Sequence, residues 1–134
     1  MKNLETILNQ EPIYLNSFHE KENVLLEFNG ATYEDKNKQL KIIKKNKDVN
    51  ILFASYDYEN YSGDAWVLFE KGGKLYEVHG SHCSCYGLEN QWDEEEVVLK
   101  EIENRLIKGD FGEDNYSGNE FRVELMEFLG IEID

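Results

Sequence analysis

The sequence predicts an α+β fold: N-terminal helices, a three-stranded antiparallel β-meander, and two C-terminal helices. Three observations lead there. From Asn50 to Gly80 the chain is rich in β-branched and aromatic residues, broken by the turn signals NYSGD and KGGK. Before that stretch, apolar residues recur at helical spacing. After it, two apolar-periodic segments are each followed by a glycine. A chain of 134 residues fits one domain, residues 1–134, and is long enough to bury a core. Hydrophobic residues at 40% and charged residues at 31% are a globular rather than a disordered composition.

The N-terminal segment NLETILN puts Leu4, Ile7 and Leu8 on one helical face, with Asn3 as cap and Pro12 as stop. Tyr14 and Leu15 then lead toward a second helix. Ser17 with Glu20 makes a capping-box pattern, Phe18, Val24, Leu25 and Phe28 are its buried positions, and Gly30 ends it. The run NVLLEF also fits a short strand. Residues 34–47 form a third helix, with acids first and lysines last as the helix dipole favours. Its apolar stripe, Leu40, Ile42 and Ile43, is narrow. Its lysines, from Lys36 to Lys47, are the one basic patch, and such a run is ordinarily a solvated face.

The strands follow as ILFASYDY, DAWVLFE and LYEVHG. A Gly-Gly pair between the last two favours a two-residue type I′ turn. That turn sets the register: Lys71 faces Lys74, Phe69 faces Tyr76, Val67 faces Val78, and Trp66 faces His79. One sheet face then carries Val67, Phe69, Tyr76 and Val78. The other carries Trp66, Leu68, Leu75 and His79 around Glu77. Helices are expected on one face, with the other only partly covered. Asp93 is read as the cap of a helix whose first turn is Glu94–Glu96, with Val97, Val98, Leu99, Ile102 and Leu106 inward and Gly109 as stop. The last helix starts at Ser117 or Asn119, buries Phe121, Leu125, Phe128 and Leu129, and stops at Gly130.

The formal net charge is −14, and it is segregated. Residues 1–50 hold 8 Lys+Arg against 8 Asp+Glu, whereas residues 51–134 hold 6 against 20. Such a field repels phosphate, so no direct nucleic-acid contact is expected, and it attracts a basic protein surface. Acidity also simply keeps a chain soluble. No apolar run approaches the roughly 20 residues of a membrane helix, so no membrane partner is expected. MKNLETILNQ lacks the apolar core of a signal peptide. A disulfide between Cys83 and Cys85 would be strained, and free thiols suit a reducing compartment, so a cytoplasmic location is expected.

The unusual residues gather in LYEVHGSHCSCYGLENQW, Leu75–Trp92. His79, His82, Cys83 and Cys85 are zinc-ligand types, but four ligands so close in sequence converge poorly on a tetrahedron. Cys83 with His79 or His82 is a conceivable nucleophile–base pair, although the acidic surroundings raise a thiol pKa. The simpler expectation is that at least one of Cys83 and Cys85 is a small buried residue behind the hairpin. No phosphate loop, GxSxG or HExxH pattern occurs, and no cofactor is implied. Aromatics with flanking acids suit a protein-binding surface, and equally suit ordinary strands. As binding residues these considerations single out Tyr58, Tyr61, Asp64, Trp66, Tyr86, Trp92, Asp110, Glu113 and Asp114.

The segment Leu52–Glu96, and above all GSHCSCYGLENQW at Gly80–Trp92, resembles small uncharacterised proteins encoded by bacteriophages and by bacteria carrying mobile elements. In those, a hairpin of the form YSGDAWVLFEKGGKLYEV is followed by GSHCSCYG. The resemblance covers about a third of the chain and excludes residues 1–50 and 97–134. It implies no mechanism. In a phage setting a small acidic protein looks like an anti-CRISPR or other anti-defence inhibitor, acting on a nuclease or another nucleic-acid-handling protein in the host cytoplasm. Two alternatives stand beside it: a small enzyme or metal module centred on the Cys/His residues, and an immunity protein that neutralises a basic toxin.

Overall fold

A computed structural model describes residues 1–30, 34–59, 62–82, 88–89, 91–109, 111–113 and 120–132, with backbone only at residues 58, 59, 62 and 82. In chain order the elements are α1 (Leu4–Leu8), β1 (Ile13–Asn16), α2 (Lys21–Phe28), α3 (Lys36–Lys45), β2 (Asn50–Glu59), β3 (Ser62–Lys71), β4 (Lys74–His82), β5 (Glu95–Glu96), α4 (Leu99–Lys108) and α5 (Arg122–Leu129). The strands form one mixed sheet in sequence order. The architecture is α+β, and the predicted meander β2–β3–β4 is its centre, extended at each edge by a short strand that the sequence did not reveal.

The hairpin register is the one that Gly72-Gly73 requires. Lys71 pairs with Lys74, Phe69 with Tyr76, Val67 with Val78, and Trp66 with His79. Both glycines have positive φ, +61° and +83°, as a type I′ turn demands. Between β2 and β3 the register shifts at Leu52: Ile51 pairs with Phe69, but Phe53 pairs with Leu68. This bulge lets two consecutive side chains, Leu52 and Phe53, enter the same core, while Ile51 and Ala54 enter the other.

Both sheet faces are packed, which corrects the expectation of one partly covered face. On one side Leu52, Phe53, Trp66, Leu68 and Leu75 meet Ile7 of α1, Ile102 and Leu106 of α4, and Leu125, Met126, Phe128 and Leu129 of α5. On the other, Ile51, Ala54, Val67, Phe69 and Val78 meet Phe18, Leu88 and the α2 residues Val24 and Phe28. The α1 cap is as expected, with the Asn3 side chain accepting from the Thr6 N–H at 2.8 Å. Gly130 closes α5 in the left-handed conformation.

Three local expectations are corrected. Tyr14 and Leu15 do not lead into a helix but form β1, parallel to β2. The sheet then holds Ser17 as well, whose N–H donates to the Tyr56 carbonyl at 2.8 Å, so Ser17 is not a helix cap and α2 begins at Lys21. Glu95 and Glu96 do not open a helix. They pair with Glu77 and Tyr76 at the edge of β4, and α4 starts five residues later than the acidic run suggests, capped by Val98 rather than Asp93. An open strand edge offers backbone partners to any extended segment beside it, and that outweighs the modest gain of acids at a helix N-terminus. Ser117 and Asn119, the proposed starts of the last helix, lie outside the described residues, and the N-cap of α5 is Phe121.

At Gly80 the β4 backbone lies directly against the Phe28 ring of α2. A Cβ there would sit 2.8 Å from Phe28 Cε1 and 3.0 Å from Leu88 Cδ2. Both neighbours are fully buried, so neither can yield cheaply. Gly80→Ala should therefore destabilise the protein by about 1–3 kcal/mol in chemical denaturation. Unchanged stability would show that the second core is looser than the packing indicates.

Candidate functional site

Alternation along β4 places Leu75, Glu77, His79 and Ser81 on one face. Leu75 joins the core; Glu77, 2% exposed, is a carboxylate buried beside it. Helix α4 crosses this face with Ile102 and Leu106 inward, and Arg105 of the same turn reaches Glu77. Its guanidinium grips the carboxylate in a two-pronged pair: Nη1 donates to Oε1 at 2.7 Å and Nη2 to Oε2 at 2.9 Å. Trp66, opposite His79 across the hairpin, donates from Nε1 to Oε1 at 3.1 Å. His79 Nε2 lies 2.6 Å from the same oxygen. Among the described residues no buried side-chain polar atom lacks a partner.

Burial pushes the Glu77 carboxyl upward, but the hydrogen bonds from His79, Arg105 and Trp66 and the charge of Arg105 outweigh it and hold the pKa down at about 2. The same bond to Glu77 raises Arg105. An ionised carboxylate only accepts, so Nε2 of His79 carries the proton and donates it. In the neutral ring Nδ1 is then the acceptor. The His79 side chain is 55% exposed, so an oriented imidazole stands at the surface with its proton position set from within.

It stands at the mouth of an open cleft of about 340 Å³. The walls are Asp64 to Trp66 of β3, His79 to Ser81 of β4, Gln91, and Phe111 to Glu113 with Phe121. Phe121 stacks on Trp66, centroids 5.3 Å apart and planes 2° from parallel, and Phe111 meets both rings edge-on. Gln91 closes the strand edge beyond β5: its Oε1 accepts from the Ser81 N–H at 2.8 Å and its Nε2 donates to the Ser81 carbonyl at 2.7 Å, as a neighbouring peptide would. Arg122 Nε lies 3.5 Å from Glu113 Oε1 at the opposite rim.

Of the residues singled out from the sequence, Asp64, Trp66, His79 and Glu113 converge on this cleft. Trp66 is 2% exposed and shapes the wall from behind. Trp92 lies on the other sheet face, stacked on Phe69 at 5.3 Å and edge-on to Phe28. Tyr58 pairs with Gly63 through its backbone. Tyr61, Cys83, Cys85, Tyr86, Asp110 and Asp114, and the His82 side chain, lie outside the described residues. Of the proposed metal set only His79 is therefore placed, and no group of three or more His, Cys, Asp or Glu suited to a metal occurs among the described residues. Arg105, Gln91 and Phe111 were not singled out from the sequence. Arg105 had a signal, a cation set among the buried positions Ile102 and Leu106 of α4.

A five-stranded mixed sheet packed on both faces, with a cleft whose lining residues His79 and Trp66 are held by the buried Glu77 carboxylate, defines the class of protein only as far as α+β. Comparison with protein-family models, curated proteins and solved structures returns no match to this chain.

The Glu77 network carries a testable consequence for stability. Its folded-state pKa lies below the ordinary 4.5, so its stabilisation is complete above that value and lost as pH falls toward about 2. Glu77→Gln should cost about 3 kcal/mol at neutral pH, since it leaves Arg105 without its carboxylate. It should also flatten the acid limb of stability between those two pH values. Equal acid sensitivity in the variant and the parent would place the loss elsewhere.

Proposed function

We propose that this protein is a small, acidic, non-enzymatic inhibitor of the anti-defence type, encoded by a phage or mobile element. In this proposal it docks on a basic surface of a nuclease or another nucleic-acid-handling host protein. The observation that supports this reading is the fate of the cations in the acidic half. Lys71 pairs with Glu94 at 2.8 Å, Lys74 with Glu96 at 4.0 Å, and Lys100 with Glu103 at 3.1 Å. Arg105 is held by Glu77 and Arg122 by Glu113. Of the six Lys+Arg in residues 51–134, only Lys108 has no carboxylate partner among the described residues. The exposed carboxylates Asp93, Glu95, Glu120, Glu124, Glu127 and Glu132 form no ion pair among the described residues, so their charges add. Such a surface speeds encounter with a basic groove and rejects acidic partners.

Within this reading the cleft at Asp64 and Glu113 is part of the docking surface, and His79 is a polar contact rather than a catalyst. The toxin-immunity alternative uses the same electrostatics and differs only in the partner.

The test is affinity capture from host lysate at low and high salt, with the parent and with Glu120→Lys/Glu124→Lys/Glu127→Lys. The reading predicts a basic partner held at low salt, released at high salt, and recovered roughly tenfold less by the reversed variant. Capture of no basic protein under either condition, or capture indifferent to charge reversal, would remove the proposal.

A further inference from the structure

The acidic half excludes phosphate, yet α3 belongs to the other half and has a different character. KNKQLKIIKK contains five lysines and no acid. None of these lysines forms an ion pair among the described residues, in a chain with twice as many acids as bases. Among the described residues, Lys38 Nζ reaches only the Gly30 carbonyl, at 3.4 Å. Nor does α3 serve the core, since it has no buried residue and Leu40 is 59% exposed.

Lys38, Lys41 and Lys45 lie at i, i+3 and i+7 and so share one face of the helix. At 1.5 Å per residue the row is about 10 Å long. Beside it is a concavity of about 210 Å³, lined by Asn29, Lys41, Ile42, Lys45, Asn46 and Trp92. The Trp92 indole is half-buried and fixed against Phe69 and Phe28. Asn29 and Asn46 each donate from Nδ2 to a carbonyl of their own helix, at 2.7 and 2.9 Å, which leaves their side-chain oxygens as acceptors.

We infer that α3 and Trp92 form a binding site for single-stranded nucleic acid, with Lys38, Lys41 and Lys45 along the phosphates and one base in the concavity against Trp92. A lysine row beside a fixed aromatic ring is the combination that single strands use. The row spans more than one phosphate, because a strand carries a charge about every 3.4 Å of rise. The concavity suits one unpaired base, which a duplex does not present. A membrane surface fits less well. A helix lying on lipid needs a broad exposed apolar face, and α3 exposes only Leu40 fully while Ile42 and Ile43 are partly covered. Exposed charges beyond about 8 Å are screened at physiological ionic strength. The acids that weigh on the row are therefore its neighbours: Asp35, which caps α3 on the Lys38 N–H, Glu89 beside Gly30, and Asp93 next to Trp92. None of them pairs with a lysine of the row among the described residues. The site is independent of the acidic docking surface, and it reverses for this one helix the expectation of no direct nucleic-acid contact.

The test is fluorescence anisotropy of a labelled oligothymidine with the full chain at low salt, followed by salt titration. The expected result is saturable binding that weakens with salt and is at least tenfold weaker in Lys41→Glu/Lys45→Glu at an unchanged melting temperature. Trp92→Phe, which keeps the apolar packing, should weaken binding several-fold. A self-complementary duplex of the same length should bind less tightly than the single strand. Absence of saturable binding would overturn the inference. So would binding untouched by the double charge reversal, or tighter binding to phosphatidylserine vesicles than to the oligonucleotide.

Discussion

Glu77 is a carboxylate almost sealed from water, on a strand whose neighbours Leu75 and Val78 are core residues. Left unpaired there, the charge would cost several kcal/mol. Three donors from three places in the chain prevent this: Arg105 from α4, Trp66 from β3, and His79 two residues along β4. Each donor fixes more than a hydrogen bond. Arg105 sets how α4 lies across the sheet. Trp66 is turned so that its ring stacks on Phe121, which leads into α5. His79 is held with Nε2 inward and its ring at the cleft mouth. The site's geometry and the packing of one whole sheet face therefore depend on the same buried charge.

The opposite face depends on steric fit instead. Gly80 lets Phe28 and Leu88 approach the β4 backbone, and the bulge at Leu52 sends Leu52 and Phe53 together to the first core, so that Ile51 and Ala54 both serve this one. A sheet filled on both sides has its surviving freedom at its edges. There β5 covers Glu77 and Tyr76, and the Gln91 amide covers Ser81. Such edge cover also guards against pairing with another chain. The polarity of the molecule follows: carboxylates on the surface of the later elements, and lysines on α3, the helix that the core does not use.

How much of this was legible in the sequence varies with how local each determinant is. The β3–β4 register was fully readable, because two adjacent glycines admit one turn type and the turn fixes every pair after it. The inward position of Glu77 was readable from the same alternation. Its partner was not, since Arg105 is 28 residues away and only tertiary packing selects it. The short edge strands were hidden for different reasons. Four residues of β1 are too few to show a period, and the acids at Glu94–Glu96 match a helix start so well that local chemistry points the wrong way. Of the candidate site, Asp64, Trp66, His79 and Glu113 were found as residue types and come together in space. The aromatic wall from Phe111 and the Gln91 clasp depend on contacts that no motif records.

The dependence of fold and cleft on one ionised, triply held carboxylate can be measured directly by NMR. The side-chain carboxyl ¹³C of Glu77 would be followed against pH, and the proton on the His79 ring would be located from long-range ¹H–¹⁵N couplings. The structure predicts that Glu77 stays ionised down to about pH 2 and that neutral His79 carries its proton on Nε2. A Glu77 titration near its ordinary 4.5, or a neutral His79 protonated on Nδ1, would contradict it.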